Sequence, residues 1–206
     1  MADPIKPTPE PLPPENRPAP GRRRVLQSGL AAAPVLMTLV SRPVLGQGIC
    51  QTPSGFTSAN ASNAGTTATC SGHTPAYWAN PIHFGEWPTG YVPVHNPSGP
   101  QATRFGPPNG VFSNAPNSAP FNGQPTLLNA LAFSGNSTND VARYVSAAVL
   151  NAASTGLTPV LSVQQVKDIW AEYGLTGYGS VGYYSPTAGA RWFAQEIIAY
   201  LLTTMS

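Results

Sequence analysis

The sequence predicts a mainly α fold: a helical C-terminal half of about four helices, packed with an irregular, Pro/Gly-rich N-terminal half tied by a disulfide. From Pro125 onward, apolar residues recur at helical spacing between residues suited to helix caps. Before it, residues 72–124 carry ten prolines and no periodicity that lasts more than a few residues. Both cysteines of the chain, Cys50 and Cys70, stand at the head of that irregular half.

The 206 residues include 10 Lys+Arg and 8 Asp+Glu, and charged residues make up 9 % of the chain, against roughly 25 % in an ordinary soluble domain. That excludes a nucleic-acid binder working through clustered basic side chains. Six of the basic groups and three of the acidic ones fall in residues 1–46, so the net basicity belongs to that segment. It begins with eight prolines between Met1 and Pro20, which favour extended backbone. Then come Gly21-Arg22-Arg23-Arg24-Val25-Leu26-Gln27 and a moderately apolar run to Val40, broken by Pro34 and Thr38. The run falls short of the roughly 20 residues that span a bilayer. A basic cluster, a short apolar stretch and small residues near the cut fit a cleavable export signal, with cleavage after Gly46 and Val44 at the −3 position. An uncleaved amphipathic anchor and an ordinary secretory signal are the alternatives. The predicted domains are therefore 1–46, a Pro-rich leader and signal, and 47–206, a single mature domain without a stable membrane span. Its layers are 47–124, loop-rich, and 125–206, helical.

The segment 21–27 resembles the bacterial twin-arginine signal Ser-Arg-Arg-x-Phe-Leu-Lys. Arg22 and Arg23 stand for the pair and Leu26 matches, while Val25 replaces Phe and Gln27 departs from Lys. The resemblance implies recognition by the export machinery, delivery to the periplasm or cell exterior, and folding before crossing.

Two cysteines 20 residues apart in an oxidising compartment read as one disulfide. The intervening Gln51–Thr69 is nearly all Thr, Ser, Asn, Ala and Gly and cannot bury a core of its own. A zinc site with His73 is the sharper alternative, but the close ligand pairs of structural zinc sites are missing.

In the mature chain, Trp78, Trp87, Tyr77, Phe84, Tyr91, Phe105 and Phe112 of the irregular layer are expected to pack onto the helical half. Thr126 caps a short helix through Phe133. Asp140–Ala153 reads as a buried Ala-rich helix with Val141, Val145, Ala148 and Ala152 on one face. Ser162-Val163-Gln164-Gln165 is a capping-box pattern that opens a helix ended by Gly174. Thr187–Met205 reads as the last helix, after a flexible Gly-rich loop exposing Tyr178, Tyr183 and Tyr184. Within that loop, 177–182 matches the dinucleotide fingerprint formally, but it follows a helix where a strand is required.

Cys70-Ser71-Gly72-His73-Thr74-Pro75-Ala76-Tyr77-Trp78-Ala79-Asn80-Pro81 is similar to the Cys…Thr-Pro-Gly-Tyr-Trp-Lys-Asn-His motif of poorly characterised secreted bacterial proteins. Glu86-Trp87-Pro88 and the Leu- and Ala-rich segments to residue 166 follow in a similar order. Ala76, Ala79 and Pro81 replace Gly, Lys and His, which removes any polar role of those positions. The resemblance implies secretion and no particular reaction.

His73, His83, Glu86 and His95 form the one concentrated titratable set, able in principle to hold a zinc ion or supply acid–base groups. Loop histidines at the surface are the plainer alternative. Tyr77, Trp78, Trp87 and Tyr91 are candidate ligand-contact aromatics. No Gly-x-Ser-x-Gly elbow or phosphate loop is present, and no cofactor is expected. The function expected is an exported periplasmic or extracellular protein with a non-catalytic structural or surface-interaction role, meeting cell-surface or matrix components. A secreted hydrolase or metal-binding protein using the histidine set, and a carbohydrate-binding module, are the alternatives.

Overall fold

A computed structural model of the chain describes residues 50–58, 70–95, 97, 99–115, 121 and 123–205. The readings placed on Arg22, Arg23, Leu26, the cleavage after Gly46 and the 46/47 boundary lie outside these residues.

The described part is mainly helical. Its elements are α1 (Pro53–Ser58), α2 (Pro75–Ala79), a 3-10 turn (Pro81–Glu86), α3 (Leu127–Leu131), α4 (Ser137–Ala153), α5 (Val163–Leu175), β1 (Tyr183–Tyr184), β2 (Trp192–Phe193) and α6 (Ala194–Thr203). Helix α4 lies at the centre, in contact with α2, α3, α5 and α6.

Three short helical elements stand before Pro125, where no helical pattern was expected. Each begins with a capping side chain followed by proline. Thr52 Oγ1 accepts from the Gly55 N–H at 3.3 Å, Thr74 Oγ1 from the Tyr77 N–H at 3.4 Å, and Asn80 Oδ1 from the Ile82 N–H at 3.1 Å. A proline in the first helical position loses no intrahelical bond and arrives with φ already helical. These prolines start helices rather than break them.

Thr126 and Asn129 form a reciprocal capping box that opens α3, and Ser162 and Gln165 do the same for α5. Helix α4 starts at Ser137 rather than Asp140, because Asn136 Oδ1 accepts from the Asn139 N–H at 2.9 Å. Burial on α4 spreads beyond the expected face: Ala142, Ser146, Ala147, Val149, Leu150 and Asn151 are buried as well. Small side chains there admit several neighbours, and the Ser146 hydroxyl donates to the Ala142 carbonyl at 2.7 Å, so it enters the core satisfied.

The last helix is shorter than Thr187–Met205. Residues 192–193 instead pair antiparallel with 183–184, Tyr183 opposite Phe193 and Tyr184 opposite Trp192. Gly189, at φ +84°, serves the connection between them. The Gly-rich loop also differs from expectation. Tyr178 is 9 % exposed at φ +53°, its ring 5.2 Å from that of Trp170 and 5.7 Å from that of Tyr173, while Tyr183 and Tyr184 are half-buried.

Phe105 and Phe112 of the irregular layer are buried, and Phe105 meets the Trp170 ring of α5 edge-on at 5.1 Å. At the other side, Cys50 and Cys70 are paired with their Cα atoms 5.3 Å apart, within disulfide range. Phe56 of α1 packs edge-on against Trp192 at 5.5 Å and Tyr200 at 5.3 Å, and the Tyr200 hydroxyl donates to the Gln51 carbonyl at 2.9 Å. Gly72 pairs in parallel with Met205, and a Cβ at position 72 would run into the Thr204 carbonyl and the Asn151 amide. No helix among the described residues is long and apolar enough to cross a membrane.

Candidate functional site

Asn151, in the last turn of α4, is a polar residue on a buried helix, 4 % exposed. Its Oδ1 accepts from the His73 backbone N–H at 2.8 Å and the Trp78 indole N–H at 2.9 Å, and its Nδ2 donates to the His73 carbonyl at 2.9 Å. This clamp holds the segment before α2, and α2 itself, on α4. From there Trp78 passes the order outward: its carbonyl accepts from the Trp87 indole N–H at 3.1 Å. Buried indoles thus reach partners, as their desolvation requires.

On the outer side of α2, the Tyr77 ring lies between two imidazoles. His73 stacks on one side at 3.7 Å between centroids and 15° between planes, His83 on the other at 3.7 Å and 17°. His73 precedes the Thr74 cap of α2 and Tyr77 lies within the helix, and the break at Asn80 turns the 3-10 segment so that His83 returns over the ring. Glu86 closes the group. Its Oε1 lies 3.0 Å from His83 Nδ1, and its Oε2 accepts from the Tyr77 hydroxyl.

The electrostatics follow from these contacts. The hydrogen bond from His83, then that from Tyr77, hold the Glu86 carboxyl below the usual carboxylate range. The hydrogen bond to Glu86 in turn pushes the Tyr77 phenol up. Burial lowers His73, with Glu86 opposing and His83 adding to the shift. At neutral pH the group therefore holds a carboxylate, a neutral phenol and a neutral His73.

Beside the stack is an open pocket of about 380 Å³. His73, Trp78, Glu86, Trp87, Pro88 and Thr89 line one side, and residues 154–157, which follow α4, line the other.

The structure brings His73, His83 and Glu86 together and leaves out His95, which is exposed and belongs to neither stack nor pocket. The three do not form a metal cage, since the Tyr77 ring separates the two imidazoles. Among the described residues no group of three or more His, Cys, Asp or Glu side chains is placed to hold a metal ion. The aromatic candidates also stand differently from a sugar-stacking platform. Trp78 is 2 % and Trp87 8 % exposed, Tyr77 is covered by imidazoles on both faces, and Tyr91 is half-buried against the core. Sequence reasoning missed Asn151 and residues 154–157. A lone amide among the Ala and Val of α4 was the signal for the first; nothing local marks the second.

No protein-family model, curated protein or solved structure matches the chain.

Proposed function

We propose that residues 47–206 are the mature part of an exported bacterial protein that works by recognition at the periplasm or cell surface rather than by catalysis, through the pocket beside α2. The order of basic cluster, short apolar run and small residues in 21–46 supports export by the twin-arginine route. The Cys50–Cys70 pair at disulfide distance agrees with an oxidising destination. The observation that carries recognition over turnover is the engagement of Glu86. Both of its oxygens accept hydrogen bonds, and both bonds favour the charged form, which makes it a weak base and a poor acid at neutral pH. A metal-dependent hydrolase has less support, because Tyr77 stands between the imidazoles that would have to converge.

Cell fractionation of an Arg22→Lys, Arg23→Lys double variant tests the route. Retention of the uncleaved variant, with exported wild type beginning at Gln47, is the expected result. Unchanged export of the variant overturns the twin-arginine assignment.

A further inference from the structure

The pocket beside α2 is electrostatically one-sided. Among the described residues its lining includes one carboxylate, Glu86, and no lysine or arginine. Residues 154–157 place it at the C-terminal end of α4, a 17-residue helix with no basic side chain in its last turn. The negative end of the helix dipole there meets no compensating side-chain cation of its own. His73, lowered by burial, adds no positive charge at neutral pH. Of the remaining walls, Trp78, Trp87 and Pro88 are buried, so the open carbon surface comes from the half-buried Leu157, with the exposed Thr89 at the edge.

Resting on the recognition reading of this site, we propose that the pocket takes a small organic cation, an alkylammonium or guanidinium group, with its N–H donors at Glu86 and its carbon chain along the half-buried Leu157. Each carboxylate oxygen keeps a lone-pair direction after the bonds to His83 and Tyr77, so Glu86 can accept from a further donor. A bare metal ion finds too few ligands, since among the described residues Glu86 and His73 are the pocket's only carboxylate and imidazole and no third such side chain joins them. An anion meets the carboxylate and the wrong end of the helix dipole. A neutral sugar finds no exposed indole face, with Trp78 and Trp87 at 2 % and 8 % exposure.

Calorimetric titration of the full-length chain at neutral pH tests this with n-butylammonium and ethylguanidinium chloride, against sodium butyrate and glucose. Saturable binding of the two cations alone is expected, weakened about tenfold or more by Glu86→Gln. Leu157→Lys, which sets an ammonium group at the pocket and leaves the stack untouched, is expected to weaken it similarly. Binding of butyrate or glucose in place of the cations overturns the cation assignment and leaves the recognition reading standing. Silence from all four probes overturns the assignment, and so does cation binding that neither substitution changes. Measured turnover of a bound compound would overturn the recognition reading itself.

Discussion

Trp78 donates its indole N–H to Asn151 Oδ1 at 2.9 Å across 73 positions of chain, and the same oxygen receives the His73 backbone N–H. One buried amide thus fixes both the outer stack and the inner wall of the pocket. Asn151→Ala leaves the indole, the His73 N–H and the His73 carbonyl without their partner. The expected loss is about 2–4 kcal/mol, since stranded buried polar groups cost their full desolvation. Urea unfolding measures it, and Trp78→Phe, which removes the indole donor itself, should leave Asn151 bonded to His73.

Cys50 and Cys70 lie at disulfide distance. Thiol titration of the denatured, unreduced exported protein should find no free thiol. Cys50→Ser with Cys70→Ser should cost about 3 kcal/mol through the restored freedom of the loop between them. Denaturant midpoints of oxidised and variant protein give the comparison.

Acid should weaken the fold in two windows. His73 is lowered from 6.5, so the unfolded chain takes up that proton first, and stability falls as pH drops from about 6.5 through the folded value. Glu86 is lowered from 4.5, and its contribution is present above that pH and lost as pH falls through its own folded value. Melting temperatures across a pH series should show His73→Gln removing the upper step and Glu86→Gln the lower. Organic-cation binding should fade in the upper window as His73 gains charge.

The Tyr178 hydroxyl is buried without a hydrogen-bond partner among the described residues, resting over Gly174, and burial pushes its pKa up to about 12. Tyr178→Phe removes that orphan group and keeps the ring against Trp170 and Tyr173. Stability should be unchanged or raised by about 1 kcal/mol, as thermal melts would register.

The C-terminal helices were legible because their starts are written locally. Thr126 with Asn129 and Ser162 with Gln165 are caps that need no distant partner. The prolines of 72–124 concealed α2 and the 3-10 turn, since the same residue breaks a helix inside and opens one at its first position. Thr74-Pro75 and Asn80-Pro81 were the local clue. Residues 187–193 were misread because Trp192, Phe193, Ile197, Tyr200 and Leu201 keep helical spacing although the first two pair as a strand with Tyr183 and Tyr184. The titratable set was half legible. Closeness in sequence brought His73, His83 and Glu86 together on paper, but the insertion of Tyr77 between the imidazoles depends on the angle at Asn80, and the burial of Trp78 on an amide 73 positions away.

The bond from Tyr200 to Gln51 joins positions 149 apart, and Phe56 rests on Trp192 and Tyr200. During synthesis, α1 therefore has no surface to dock on until α6 has left the ribosome, and so long-range a closure comes late. On the proposed route for cargo that folds before crossing, a truncated chain would arrive with α1 undocked.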